Sequence, residues 1–278
     1  MDKANVSHAV ISGLALHKKL PLKTNDPKYS PTDEYYYYSA TDTVLAKDYE
    51  SLDAQEKKRF FPLICGFNPT DKLAYRQIER VIKYFPNIWH GIGEIIFRHG
   101  GLTRQISGEL PRINHPAMEN VYRLCAEKSM PILVHQNLNS EDSSPNPGAM
   151  KELEETLDKN KKTTFVLAHA GTAQKIYNPN HHEVIRELLS YHDNLCLDLS
   201  WKIFDKYIYR AGNLDKNWIR LAQDFSDRIC VGSDDTENPE EIPQIMAKFD
   251  FLLNVLDQKT QENLSYKTAF RLYNQIRA

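Results

Sequence analysis

Short apolar runs alternate with amphipathic stretches along the whole chain. The runs are rich in strand-forming residues, are bounded by turn residues, and cover Ala9–Ile11, Phe60–Phe67, Trp89–Phe97, Ile132–Val134, Phe165–Ala168, Leu195–Leu199 and Ile229–Val231. Continuous apolar runs of this length are typical of strands that are buried on both faces, as in a parallel sheet. The pattern therefore predicts seven parallel strands.

Helical patterns lie between the predicted strands. Apolar residues recur every three or four positions in Ala117–Lys128, Gly148–Leu157 and His182–Tyr191, which is the spacing of an amphipathic helix. Alternating strands and helices predict repeated βαβ units. The 278 residues suit a TIM (β/α)8-type barrel of ~250 residues. No low-complexity linker divides them, so we expect one domain over residues 1–278.

The predicted barrel lacks one strand, because a closed barrel of this class has eight. Residues 1–13 have the pattern of a helix end followed by a strand. An open barrel leaves two edge strands exposed, which favours aggregation. We therefore expect the first strand of the barrel to be missing or to be replaced by another segment.

One connection is longer than an ordinary loop. Residues 20–39 follow the first predicted strand and carry three prolines and the four consecutive tyrosines Tyr35–Tyr38. A connection of this length predicts a lid or a binding loop. An irregular surface excursion, with its tyrosines packed on the barrel rim, is an equally good interpretation.

Composition and charge narrow the range of partners. The chain has 35 Lys and Arg against 37 Asp and Glu, a net charge of -2, so it has no basic field for nucleic acid or acidic membranes. No apolar stretch reaches the ~18 residues of a membrane helix, and the N-terminus has no signal-peptide pattern. We expect a cytoplasmic protein with a small-molecule substrate, and the sequence leaves open whether it forms a homo-oligomer. The four widely spaced cysteines are expected to be buried free thiols.

Four polar residues each close a short run of strand-forming residues: Glu94 after Trp89–Gly93, His135 after Pro131–Val134, His169 after Thr163–Ala168 and Asp234 after Arg228–Ser233. A carboxylate or an imidazole is costly to bury among apolar residues unless a partner or a metal satisfies it. The carboxyl ends of the strands are also where parallel barrels form their active sites. These positions therefore predict a functional site.

Each of the four also has a purely structural explanation. A lone histidine such as His135 or His169 is more often a satisfied core residue. Glu94 is equally consistent with an ion pair to a lysine or an arginine. Asp234 could cap the helix that follows it, although Asp235 is better placed to do so. The combination of the four residues carries the prediction.

Further candidates are weaker. Arg98 and Arg104 follow Glu94 and are candidates for binding a substrate carboxylate, and Trp201 is a candidate for lining the same pocket. Asp198 is expected either to face the barrel mouth or to bond only to backbone.

One pair of histidines is expected outside the site. His181 and His182 lie in a polar stretch of the sequence, and we expect both of them at the surface.

Several segments together resemble the amidohydrolase superfamily, in particular its branch of metal-dependent hydrolases and aminocarboxymuconate-semialdehyde-type decarboxylases. The segments are PILVHQN, TFVLAHAG, LCLDLSW and RICVGSDDT, with the ending ENLSYKTAFRLYN. Each motif is modest, but their order and spacing make the likeness fairly specific, and it runs from about Val6 to Tyr273. The resemblance implies a (β/α)8 barrel with a divalent metal, Zn²⁺ in the first place.

The resemblance also implies roles for the strand-end residues. His135 is similar to the metal-ligand histidine of the family's fifth strand. His169 is similar to the sixth-strand histidine, which binds a second metal or polarises the substrate. Asp234 is similar to the eighth-strand aspartate, a metal ligand that also takes the proton of the bound water. Glu94 resembles a fourth-strand glutamate that is a metal ligand in some branches, including the TatD-type nucleases.

These roles imply metal-dependent hydrolysis of a C–N, C–O or related bond through metal-activated water. Non-oxidative decarboxylation is a close variant of this function. A TatD-like nuclease is a further alternative, which the near-neutral charge disfavours.

One departure from the family is clear. The first strand of the family barrel carries His-x-His, a pair of metal ligands, and no His-x-His occurs in this sequence. Three explanations are open: the natural protein is longer at its N-terminus, the barrel binds a ligand without metal catalysis, or the four strand-end residues form a rearranged metal site.

Overall fold

The computed structural model describes residues 1–15, 40–103, 109–139, 147–234 and 238–274. Its strands are β1 (Ala9–Ile11), β2 (Phe60–Ile64), β3 (Gly91–Arg98), β4 (Ile132–Gln136), β5 (Phe165–Leu167), β6 (Leu195–Leu199), β7 (Tyr209–Arg210), β8 (Asn213–Leu214) and β9 (Ile229–Val231). Strands β1 to β6 and β9 form one sheet in chain order, and every neighbouring pair is parallel. Strands β7 and β8 form a separate antiparallel pair. The seven parallel strands fall on the seven apolar runs of the sequence.

Helices connect the strands of the sheet. They are α1 (Thr41–Ser51), α2 (Ala54–Lys57), α3 (Ala74–Tyr84), α4 (Met118–Lys128), α5 (Pro147–Lys159), α6 (His181–Tyr191), α7 (Lys216–Asp224), α8 (Ile242–Leu253), α9 (Gln258–Glu262) and α10 (Thr268–Tyr273). Their apolar faces pack on the sheet, as Ile78 and Val81 of α3 do. The helical patterns in the sequence correspond to α4, α5 and α6.

Alternation along each strand divides the core into two parts. Strand β4 shows the division, since Ile132 and Val134 belong to the large cluster that includes the helices, whereas Leu133 packs in a smaller cluster. The smaller cluster fills the concave side of the sheet. Its buried members are Phe61, Leu63, Val166, Cys196, Leu272 and Tyr273.

The barrel is open among the described residues, because β1 and β9 each pair with only one neighbour. The last helix instead places Leu272 and Tyr273 on the concave side of the sheet. The Tyr273 carbonyl oxygen accepts a hydrogen bond from His90 Nδ1, at 2.5 Å. The expectation that the first strand is missing or replaced is confirmed.

The four cysteines are buried and free. Within the described residues, no helix is both long enough and apolar enough to cross a membrane. The proposed lid at residues 20–39, together with Arg104 and Asp235, lies outside the described residues.

Candidate metal centre

The four residues lie side by side. The expectation that Glu94 ends a strand is wrong, because β3 continues past it to Arg98 and Glu94 lies within the strand. Ligand atoms of Glu94, His135 and His169 lie within 4.8 Å of one another. His135 Nδ1 is 2.7 Å from Glu94 Oε1, and His169 Nε2 is 3.5 Å from the same oxygen. Asp234 Oδ2 lies 3.6 Å from His169 Nε2. Because neighbouring strands of the sheet are parallel, side chains that are far apart in sequence meet at the same end of the sheet.

A glycine allows Glu94 to enter the cluster. Gly93 has a φ of 127°, and a Cβ atom at this position would lie 2.7 Å from Leu133 Cβ. Only a residue without a side chain fits between β3 and β4 there. On the other side, the Glu94 backbone N–H donates to Ser12 Oγ at 3.1 Å, which ties Glu94 to the end of β1.

His169 lies on a turn of left-handed backbone. The turn Ala168–Gly171 follows β5, and φ is 54° at His169, 47° at Ala170 and 66° at Gly171. For residues other than glycine this conformation costs about 1–2 kcal/mol each. The His169 ring is oriented by a contact of 2.7 Å between its Nδ1 and Ser200 Oγ.

Two more site residues have left-handed backbone, Trp201 with a φ of 56° and Asp234 with a φ of 51°. Unusual backbone of this kind concentrates at functional sites, where the surrounding structure maintains it. The Trp201 ring lies 5.2 Å from the His169 ring and 6.1 Å from the His135 ring. This position agrees with the expectation that Trp201 lines a pocket.

The charges in the cluster are coupled. Burial alone would raise the pKa of Glu94, but hydrogen bonds and charge interactions with His135 and His169 hold this pKa well below its usual range. Burial opposes protonation of His169, yet Glu94 and Asp234 raise the pKa of its imidazole to about 9. Without a bound cation, an ionised Glu94 therefore faces a protonated His169.

Arg98 does not face this cluster. The β3–β4 register shifts between Ile96 and Arg98, so that Arg98 pairs with Gln136. Its guanidinium instead binds Glu152 of α5 through two contacts of 2.8 and 2.6 Å. The charge of Arg98 is thus satisfied within the fold, and this placement gives no support to a substrate-binding role.

Two other polar side chains, those of Asp198 and His181, have buried atoms. Asp198 of β6 has a buried Oδ1 with no hydrogen-bond partner among the described residues, and burial raises its pKa while His169 and Ser200 lower it. It belongs to the electrostatic surroundings of the site, in line with a position facing the barrel mouth. The expectation that His181 is exposed is wrong, because its side chain is fully buried.

Several residues next to the cluster were not identified from the sequence. The His99 ring lies 4.6 Å from that of His135, and burial together with the nearby His135 lowers the pKa of His99 to about 4. Asn137 Oδ1 lies 3.1 Å from His135 Nε2. Ser200 and Ser12 could have been found from their positions, since Ser200 directly follows β6 and Ser12 directly follows β1.

A cleft of about 240 Å³ adjoins the cluster. Asp234 of the cluster and the neighbouring Trp201 both line the cleft, so a molecule in it would lie beside the strand-end residues. The rest of the lining combines apolar rings with charged groups: Lys202, Phe204, Ser233, Glu241, Ile245, Lys248 and Phe249.

The donor set fits a divalent cation. Two imidazoles and one carboxylate, as in His135, His169 and Glu94, are ligands that Zn²⁺ and related divalent ions favour. Ligands at ~2.0–2.2 Å from Zn²⁺ must approach one another closely, and the 2.7 and 3.5 Å separations around Glu94 Oε1 are short enough. Asp234 is near enough to join them after a small shift.

The open parallel barrel, with a cluster of candidate metal ligands at its carboxyl end, is of the (β/α)8 class. A family model described as amidohydrolase matches residues 51–275, and the chain belongs to the amidohydrolase family. A search of curated proteins finds no match.

Solved structures support the fold. A TIM-barrel protein from Bordetella bronchiseptica is 14% identical with a TM-score of 0.61, over 98% of this chain and 79% of its own. Dihydroorotase from Campylobacter jejuni is 15% identical with a TM-score of 0.54, over 85% of this chain and 70% of its own. A dihydroxybenzoic acid decarboxylase from Polaromonas sp. JS666, solved with manganese and an inhibitor, is 14% identical with a TM-score of 0.51, over 87% of this chain and 78% of its own.

Family membership and the ligand cluster agree with each other. Membership of this family indicates an enzyme, and the family and the cluster both support a divalent metal at the carboxyl end of the barrel. At 13–17% identity the solved structures establish the fold alone.

Proposed function

We propose that this protein is a metal-dependent hydrolase of the amidohydrolase type, acting on a C–N, C–O or related bond of a small molecule. The observation that carries the proposal is the approach of His135 and His169 to one carboxylate oxygen of Glu94, at 2.7 and 3.5 Å. Around this ionised carboxylate, the proton of His169 is poised to be exchanged for a cation.

The proposal assigns the residues as follows. Glu94 and His135 hold the divalent cation, with Zn²⁺ as the first candidate, and His169 either joins them or polarises the substrate. When bound, such a cation supplies Lewis acidity, which acidifies a water molecule and polarises an electrophile. Asp234 accepts the proton of the attacking water, because its carboxylate lies 3.6 Å from His169 on the cleft side. Trp201 forms a wall that excludes bulk water.

A comparison of metal-loaded proteins tests this function. Asp234→Asn should keep its metal and lose at least about 100-fold in kcat, the range of general acid–base catalysis, on a panel of amides, lactones and aromatic carboxylic acids. Asp227→Asn is the matched control, since Asp227 is exposed and precedes β9 at the opposite end of the strand. Full activity of metal-free protein or of Asp234→Asn would contradict the proposal.

The same panel separates the alternatives. Release of CO₂ from a carboxylic acid, without hydrolysis of any other compound, would replace the hydrolase proposal by the decarboxylase variant. Stoichiometric binding of ligands without turnover would favour a non-catalytic barrel, and digestion of DNA would favour the nuclease.

A further inference from the structure

The turn that carries His169 needs external support. His169 and Ala170 are two successive non-glycine residues in left-handed backbone, followed by Gly171. Such a conformation is retained only where contacts outside the turn fix it. Two backbone contacts help, because Thr172 N–H donates to the His169 carbonyl and Leu138 N–H donates to the Gly171 carbonyl, both at 3.0 Å. The carbonyl between them, that of Ala170, needs a side-chain partner.

His181 provides that partner. This first residue of α6 is fully buried, and its Nε2 lies 2.8 Å from the Ala170 carbonyl oxygen. A carbonyl can only accept a hydrogen bond, so the proton of the imidazole lies on Nε2. Burial lowers the pKa of His181 to about 4, and the ring is therefore neutral at physiological pH.

The His181 ring cannot easily turn away from this bond. It stacks on the Tyr207 ring at 4.9 Å and lies 6.1 Å from the Trp218 ring. Tyr207 is itself fixed, because its hydroxyl accepts a hydrogen bond of 3.1 Å from the Asn178 backbone N–H. A rigid stack of rings thus holds the Nε2–H donor against the turn.

We propose that His181 is a positioning residue, whose Nε2–H anchors the Ala170 carbonyl and so fixes the direction in which His169 points toward Glu94 and Asp234. The metal role of His169 rests on the proposed function, but its orientation does not. Without the His181 Nε2–H donor, the turn Ala168–Gly171 would relax toward ordinary backbone conformations. The imidazole of His169 would then move away from Glu94.

Two substitutions of His181 distinguish the effect of its hydrogen bond from the effect of its aromatic ring. His181→Phe keeps an aromatic ring in the stack and removes the hydrogen bond, whereas His181→Gln can place a side-chain N–H near the position of Nε2. Side-chain ¹H–¹⁵N spectra of His169 in metal-free protein report its environment directly. Competition with a chelator gives the affinity for Zn²⁺, and thermal unfolding gives stability.

We expect His181→Phe to shift the His169 signals and to weaken Zn²⁺ binding at least about tenfold, the lower end for residues behind a metal ligand. His181→Gln should keep most of the wild-type His169 signals and most of the affinity for Zn²⁺. His192→Phe is the control, because His192 is also buried but follows α6 at its far end; it should lower stability without moving the His169 signals.

Two results would overturn the proposal: wild-type His169 signals in His181→Phe, or equal losses in His181→Gln and His181→Phe. If wild-type protein binds no Zn²⁺, the proposed function fails, and the His169 signals of the metal-free variants still decide whether His181 positions this residue.

Discussion

At the scale of single residues, Glu94 is the centre of the site. It is the carboxylate that both His135 and His169 approach, and its ionised form is maintained by these two rings although it is buried. The same interaction keeps His169 protonated, so the charge of Glu94 is balanced without a cation. A divalent cation would replace the proton of His169 as the partner of Glu94.

The coupling predicts an effect of Glu94→Gln on His169. Glu94 makes the largest contribution that raises the pKa of His169 to about 9. Without this charge, burial should bring the pKa of His169 down to near or below its ordinary value of ~6.5. An NMR titration of the His169 ring in metal-free protein measures this change, with Asp227→Asn as the control. A pKa that stays near 9 in Glu94→Gln would show that the two groups do not interact as described.

Asp42 predicts a second effect of pH, on stability. Its buried carboxylate accepts hydrogen bonds from the backbone N–H groups of Cys65 and Gly66, at 2.9 Å each, yet burial outweighs them and raises its pKa to about 6. Because the folded-state pKa lies above the unfolded value, the contribution of Asp42 to stability is fully present below about pH 4 and is lost as the pH rises through 6.

Asp42→Asn removes this titration. The stability of the wild type relative to the variant should therefore fall on the order of 2–3 kcal/mol between pH 4 and pH 7. Urea unfolding of both proteins at the two pH values measures the difference. If the stability of the wild type relative to Asp42→Asn stays constant or rises with pH, the description of Asp42 is wrong.

At the scale of elements, the strands could be predicted from the sequence and the direction of some side chains could not. The seven runs are recognisable because a strand buried on both faces is apolar throughout. The direction of Arg98 depends on a shift of register in β3, which leaves no mark in the pattern of residues. His181 was misplaced because its polar neighbours hide that its own ring is packed against Tyr207.

The close approach of β3 and β4 predicts that Gly93 cannot be replaced. Gly93→Ala would place a methyl group 2.7 Å from Leu133 Cβ in backbone with a φ of 127°. We expect a loss of more than about 3 kcal/mol in the free energy of unfolding. Gly212→Ala is the matched control, with a φ of 82° and no described atom within 4 Å of the added carbon; it should cost only about 1 kcal/mol. Equal losses in urea unfolding would refute the close-packing argument.

At the scale of the whole molecule, the C-terminal helix compensates for the open barrel. Leu272 and Tyr273 of α10 fill the concave side of a sheet whose edge strands β1 and β9 do not meet among the described residues. The strand count anticipated the opening. The pattern of α10 resembles that of any amphipathic helix, so the space that it fills could not be foreseen.

This arrangement predicts that α10 is essential for stability. Leu272→Ala should lower the free energy of unfolding by about 2–5 kcal/mol, because it leaves a cavity among Phe61 and the concave cluster. Tyr266→Ala, at a side chain that is 50% exposed, should cost less than about 1 kcal/mol. A Leu272→Ala protein as stable as Tyr266→Ala would mean that α10 does not fill the barrel.

Anomalous diffraction at the zinc edge, from crystals grown with Zn²⁺, shows directly whether Glu94, His135 and His169 bind a metal. We expect a peak at ~2.0–2.2 Å from a carboxylate oxygen of Glu94 and from ring nitrogens of His135 and His169, with Asp234 adjacent, and no such peak in Glu94→Gln. A wild-type map without density at this position, or with the same peak in Glu94→Gln, would contradict the claim that these strand ends form a metal site.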